Sequence, residues 1–267
     1  MRDWIARQVE ITGVIEQPHV RPWATALRVP TAGGTVWFKA SLEAYAHEAE
    51  VIRILTPLAP GLLPEVIASR ADGWMLLADA GDRAREHPID WPAMLGEYVR
   101  LQAASAGHVD ELLAAGVNDN RPQRVVEHAE TLLPHLPEEL ARGVRDRLPD
   151  VGRKMDRLAA SRLPVTVDHN DLHDANVFSR DGRVRIIDWG DSSVAHPFFT
   201  MSVFEEHEVA PYLAAWEGSA PREELEEEAA IVLELRFLVR ALNWADLATY
   251  GPQHAAHLVD RIERFLD

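Results

Sequence analysis

The chain has 267 residues, 47% of them hydrophobic and 26% charged; that length allows one large domain or two modest lobes, and the composition excludes collagen, coiled-coil and low-complexity classes. With 27 Lys and Arg against 43 Asp and Glu the formal net charge is −16, and no basic stripe offsets it, which argues against a nucleic-acid partner. There is no cysteine, so disulfides, thiolate metal sites and thiol nucleophiles are excluded and a reducing, cytoplasmic setting is expected.

Residues 1–10 mix Arg2, Asp3, Arg7 and Glu10 with apolar side chains and lack the apolar core of a signal peptide. Val9, Ile11, Gly13 and Ile15 then alternate with polar neighbours, as do Trp23, Thr25, Leu27 and Val29, and Gly33-Gly34 turns the chain into residues 35–39. This spacing predicts three antiparallel strands. Helical spacing follows over residues 42–55, and two further strands, 65–69 and 74–79, flank Asp72-Gly73, a strong hairpin signal. The expectation for residues 1–80 is a five-stranded sheet with one helix.

Beyond Ala80-Gly81 amphipathic segments dominate, with Asp90 as N-cap before Trp91-Pro92 and Gly116 as a stop after Leu112-Leu113. The acidic run 223–228 reads as the solvated first turn of a helix starting after Pro221. The apolar stretch 229–247 is interrupted by Glu234, Arg236, Arg240 and Asp246, which excludes a membrane span and a membrane partner. The order predicts an α+β architecture: a small antiparallel N-terminal lobe over residues 1–80 and a larger, mainly helical lobe over residues 81–267.

Residues 165–191 break the helical pattern and carry the most chemistry. Two β-branched arms, 177–178 and 184–187, flank an Asp181-Gly182 turn. A turn centred on Gly182 sets Asn176 opposite Asp188, where cross-strand neighbours lie roughly 4.5 to 5.5 Å apart at Cβ. A carbonyl oxygen and a carboxylate so placed suit a hard cation such as Mg²⁺, which keeps several waters and also binds phosphates. A register shift of one residue would turn one of them to the other face. Asp171, five residues before Asn176 on the entering loop, sits where a base orienting an attacking hydroxyl is needed. The nearby His169 and His173 are expected to hold the loop rather than a metal.

The segment His169-Asn170-Asp171-Leu172-His173-Asp174-Ala175-Asn176, followed by Ile187-Asp188-Trp189, resembles the catalytic loop and metal motif of the aminoglycoside phosphotransferase family and the related choline kinases. That resemblance implies a bilobal protein-kinase-like fold, Asp171 as catalytic residue, and Asn176 and Asp188 as ligands of Mg²⁺. Asn170 stands where the family usually has Gly, at a position Asn can serve because it tolerates unusual φ. The family also places a lysine on the third strand, held by a glutamate of the following helix. Lys39 ends the third strand, and Glu48 shares its helix face with Val51, Ile52 and Leu55, while Glu43, His47 and Glu50 form a polar stripe, so Glu48 is the expected partner.

By the same resemblance the backbone of Ala78 and Ala80 meets the adenine of ATP, and residues 17–22, without glycine, replace a Gly-rich phosphate loop. The implied activity is an ATP- and Mg²⁺-dependent phosphotransferase acting on a small hydroxyl-bearing molecule. The acidity of the chain, including Asp191, Glu205, Glu206 and Glu208, suggests a neutral or cationic acceptor. The competing readings are a nucleotide-binding scaffold of the same fold without activity and a metal-assisted phosphate hydrolase.

Overall fold

The computed structural model describes residues 1–244 and 252–267, apart from the side chains of residues 252–254. Two compact units emerge: Met1–Ile89 with Asp174–Gly190, and Asp90–His173 with Asp191–Asp267. Positions 245–247 of the interrupted apolar stretch lie outside the described residues.

The first unit opens with a short helix α1 (Arg2–Ala6), whose Trp4 and Ile5 are buried against the sheet that follows. That sheet comprises β1 (Glu16–Val20), β2 (Ala24–Thr31), β3 (Gly34–Ser41), then, after the helix α2 (Glu48–Leu55), β4 (Val66–Ser69) and β5 (Trp74–Ala78). All pairs are antiparallel and the order is β1-β2-β3-β5-β4. One face buries Leu27, Val29, Val36, Phe38 and Leu76 against Trp4, with Trp4, Phe38 and Trp74 meeting edge to face at ring separations of 5.4–5.9 Å. Such contacts add about 0.5–1.5 kcal/mol each beyond their buried area.

Two expected elements differ. Residues 9–15 form no strand beyond a bridge from Ile11 to Thr31; Val9, Ile11 and Ile15 alternate because they pack on the aromatic cluster, not because they join a ladder. The strand is instead β1, exposed at every position, which takes up most of the segment expected to be a loop. The predicted helix 42–55 is split into a single 3₁₀ turn at Glu43–Tyr45 and α2.

A two-residue strand β6 (Asp82–Arg83) follows, and the chain then enters the second unit through α3 (Trp91–Ser105), whose N-cap Asp90 accepts the Ala93 amide at 3.0 Å. Next come α4 (Val109–Ala114), stopped by Gly116 at φ +97°, then β7 (Asn118–Asn120), α5 (Pro122–Leu132), α6 (Glu138–Ala159) and β8 (Thr166–Asp168). The hairpin β9 (Val177–Arg180) and β10 (Arg183–Ile186) returns to the first unit: β9 pairs with β6, and the Ile186 amide donates to the Leu62 carbonyl at 2.8 Å. These bonds explain why a segment assigned by order to the helical part packs with residues 1–89. The second unit resumes with β11 (Ser193–Ala195), parallel to β7 and antiparallel to β8, then α7 (Glu206–Ala215), α8 (Arg222–Leu242) and α9 (Pro252–Leu266). The acidic run at the start of α8 is not wholly solvated: Glu228 is buried and takes hydrogen bonds from Arg157 and Ser161.

Gly81 has φ +105°, and a Cβ there would meet the Ser179 carbonyl oxygen of β9 at 2.2 Å, whereas Gly182 has φ +74° with nothing within 4 Å. Both substitutions to alanine incur left-handed strain of about 1–2 kcal/mol. Only Gly81→Ala also forces β6 off β9, so its urea midpoint should fall by the equivalent of about 3 kcal/mol or more, and that of Gly182→Ala by about 1 kcal/mol.

Candidate active site

Strand alternation sends Val36 and Phe38 into the aromatic cluster and Lys39 to the opposite face, toward α2. The Lys39 Nζ donates to Glu48 Oε2 at 2.6 Å and to Asp188 Oδ1 at 2.5 Å. Glu48 is 2% exposed, and its other carboxylate oxygen accepts the Trp189 amide at 3.2 Å, which ties α2 to the segment after β10. Glu50, on the outer face, pairs instead with Arg53. Burial works against the Lys39 ammonium, but the charges of Asp188 and Glu48 outweigh it and hold the amine above the usual lysine value. Burial pushes the Glu48 carboxyl up to about 7; Lys39 pulls it down and Asp188 raises it again. Two carboxylates thus share one ammonium in a largely dry setting.

The hairpin register departs from the arithmetic. Arg183 pairs with Arg180 and Ile186 with Val177, so the turn is the two-residue Asp181-Gly182, both at positive φ, and Asn176 lies opposite Ile187 instead of Asp188. The Ile187 amide donates to the Asn176 carbonyl at 2.9 Å. A one-residue offset should set the Asp188 side chain on the wrong face. β10 ends at Ile186, however, and Asp188 takes φ +68°, which frees it from strand alternation and lets it reach Lys39. A non-glycine residue in this region stores strain, and such positions concentrate at functional sites.

Asn176 is buried and the Asp188 side chain 44% exposed, both in the first unit. The oxygen donors and the surplus carboxylate fit a hard divalent cation, although among the described residues no group of three or more His, Asp or Glu forms a metal cluster by itself. That pattern suits an ion completing its shell from phosphates and water. Ala78 commits its amide to the Glu65 carbonyl at 3.0 Å, and the Ala80 carbonyl is 3.5 Å from Arg185.

In the second unit the loop from β8 is held by side chains. The Tyr98 hydroxyl of α3 accepts the His169 amide at 3.0 Å, and His169 Nδ1 accepts the Asp171 amide at 3.3 Å, an arrangement that puts the ring proton on Nε2. Asn170 has φ +63°, the conformation glycine would adopt freely, and its side chain repays the strain by donating to the Asp191 carbonyl at 2.9 Å and Ser193 Oγ at 2.8 Å. His173 does more than hold backbone: its Nε2 is 3.3 Å from Asp171 Oδ2. Burial opposes ionisation of Asp171, yet the His173 contact and, more weakly, the charge of Arg240 hold its carboxyl below the usual range, so it is an anion at neutral pH. Its neighbour Asp168 is the reverse case, fully buried, with its carboxyl pushed up to about 7 by desolvation.

Some residues at this centre carried no signal in the pattern of motifs. Asn243 also donates to the Asp191 carbonyl, at 3.2 Å, and Arg240 acts electrostatically on Asp171. The available clue was an arginine interrupting an apolar helix, evidence that counted only against a membrane span.

Residues 23–227 match APH, the phosphotransferase enzyme family. Solved structures similar to this chain include a choline/ethanolamine kinase family protein from Mesorhizobium loti, with a TM-score of 0.67 at 19% identity over 99% of this chain and 93% of that one. The macrolide 2'-phosphotransferase of Brachybacterium faecium gives 0.65 at 17% identity over 97% and 96%. The ternary complex of streptomycin, ATP and APH(2")-IIa gives 0.67 at 12% identity over 98% and 95%. At these identities the likeness establishes the fold, the α+β protein-kinase-like one. No curated protein matches the chain by sequence.

The environment of Asp168 has a measurable consequence. Its Oδ1 accepts the Asn170 amide at 3.2 Å, while Oδ2 is buried without a hydrogen bond among the described residues. A carboxyl raised from 3.8 to about 7 in the folded state contributes stability below the unfolded value and loses it as pH rises toward 7. Asp168→Asn keeps the Oδ1 acceptor and cannot ionise. Relative to wild type it should therefore gain roughly 2–4 kcal/mol between pH 4 and pH 8, read from urea unfolding at each pH. A gap that does not change with pH would contradict this assignment.

Proposed function

The chain belongs to the phosphotransferase enzyme family, and we propose that it transfers the γ-phosphoryl group of ATP to a hydroxyl of a small molecule. The observation that carries this reading is Lys39 held between Glu48 and Asp188, an ammonium kept charged and fixed in place where a donor phosphate needs a cation. The presence of every expected side chain favours catalysis over an inactive scaffold, and the match to a phosphotransferase family favours transfer to an acceptor over simple hydrolysis of phosphate.

In this reading Asp171 takes the proton of the acceptor hydroxyl as its oxygen bonds to the γ-phosphorus, and ADP leaves with the electrons of the broken phosphoanhydride bond. His173, bonded to the same carboxylate, orients it, and the His169 and Asn170 contacts keep the loop rigid. Asn176 and Asp188 would hold Mg²⁺, which when bound neutralises charge on the donor phosphates. Lys39 then exchanges part of its bond to Asp188 for a phosphate oxygen while Glu48 keeps it in position. The Ala78 carbonyl and the Ala80 backbone take the adenine edge.

Asp171→Ala should fold normally, by circular dichroism, and lose roughly a hundred-fold or more in turnover, measured as ADP release across a panel of hydroxylated metabolites and antibiotics with ATP and GTP compared. Near wild-type turnover would remove Asp171 from the chemistry. For the cation, Asp188→Asn should weaken nucleotide binding more with Mg²⁺ than without it in titration calorimetry, since it removes ligand charge. Equal losses in the two conditions would leave Asp188 as a partner of Lys39 only.

A further inference from the structure

The acceptor end of the second unit is organised by the last turn of α8. Asn243 and Asn170 donate to the same Asp191 carbonyl, at 3.2 and 2.9 Å, so this turn is tied to the residue that precedes Asp171. Arg240 lies three residues before Asn243, on the same helix face. From α9 the Arg261 guanidinium stacks 4.8 Å over the ring of Trp244. Two guanidinium groups from two helices therefore converge beside the Asp171 loop, and the charges of Asp171 and Asp191 act on both.

Several other arginines of this unit are ion-paired. Arg121 forms a two-pronged bond to Asp119, Arg157 bridges Glu227 and Glu228, and Arg264 bonds Asp260. Arg240 and Arg261 are half-buried, and among the described residues neither makes an ion pair. Arg261 donates to the His257 carbonyl at 3.2 Å, but its Nε is buried without an acceptor among the described residues. Burial, and for Arg261 also the repulsion of Arg240, lowers both guanidinium groups, Arg261 to about 10. A half-buried guanidinium with one buried N–H that has no acceptor among the described residues, beside a second one without an ion pair, is an arrangement that can receive a carboxylate or phosphate.

Three of the four acidic residues that suggested a cationic acceptor are engaged elsewhere. Glu205 caps α7, with its amide donating to Glu208 in a reciprocal capping box, and Asp191 faces the arginines. We infer that the acceptor carries an anionic group, a carboxylate or a phosphate monoester, bound by Arg240 and Arg261 while its hydroxyl is presented to Asp171. This rests on the phosphotransferase reading for the hydroxyl and on the arginine pair for the anion.

The test is titration calorimetry and ADP release on the full chain with matched probes: glucuronate, glucose 6-phosphate, glucose and glucosamine, and likewise glycerate, glycerol 3-phosphate, glycerol and serinol. Wild type is compared with Arg240→Gln, Arg240→Lys, Arg261→Gln and, as a control for lost surface charge, Arg145→Gln on α6, which pairs with Glu138. The anionic members should bind at least ten-fold tighter than their neutral and cationic counterparts at low salt, with the carboxylate and phosphate arms telling which anion fits. The advantage should shrink as salt rises, vanish in both Gln variants, persist partly in Arg240→Lys and be unchanged in Arg145→Gln. In turnover the Gln variants should raise KM for the anionic acceptor at least ten-fold and change kcat less. Tighter binding of glucosamine and serinol, no binding of any anion, or equal losses for all probes in the Gln variants would overturn the inference. Arginine-dependent anion binding without ADP release would keep the anion site and overturn the phosphotransferase reading. Phosphorylation of a cationic acceptor unaffected by Arg240→Gln would do the opposite.

Discussion

In the first unit a single lysine is shared by two carboxylates, and most of that unit's construction serves to hold the three together. Lys39 can face Glu48 only because Val36 and Phe38 claim the other side of β3, and Glu48 can face Lys39 only because Val51, Ile52 and Leu55 anchor α2 on the sheet. Asp188 arrives by a different route, at the end of a hairpin and in a left-handed conformation. Removing Lys39 would leave the buried Glu48 carboxylate without its counter-charge, whereas removing either carboxylate leaves an ion pair in place. The same contacts fasten the β9–β10 hairpin to residues 1–89, across the intervening residues 90–173.

The second unit solves a related problem with side-chain acceptors. A loop that leaves a buried strand exposes amides that need acceptors, and Tyr98, His169 and Asp168 supply them. Two aspartates three residues apart then diverge in protonation: Asp168, enclosed, is pushed up to about 7, while Asp171, beside His173 and Arg240, is held below the usual range. Environments that drive like groups apart are how a fold keeps one carboxyl structural and another available as a base.

Net charge and local charge point in opposite directions here. A chain at −16 nonetheless brings Arg236, Arg240, Arg261 and Arg264 into one region on α8 and α9, two of them stacked on Phe237. Composition averages over a surface, whereas recognition depends on the few groups that converge on a site.

The chemistry-bearing residues were legible because they lie close together in sequence: residues 169–176 and 187–189 form a spaced motif, and side-chain period singled out Glu48 over Glu50 on one helix. Turns were equally plain, since Asp181-Gly182 and Asp72-Gly73 need positive φ that few residues accept. What sequence period reports is burial, and burial was mistaken for strand pairing at residues 9–15, while β1, exposed along its whole length, showed no period at all. The register of Asn176 and Asp188 depended on a one-residue choice of turn and on a left-handed backbone at Asp188 that alternation cannot express. The sequence by itself determined the fold class, the candidate catalytic loop and the lysine partner, since these follow from local spacing and the faces of single elements. Tertiary structure alone decided which unit the hairpin joins, where Asp188 points and that two arginines far along the chain stand beside Asp171, because those outcomes arise from packing between elements that local sequence does not encode.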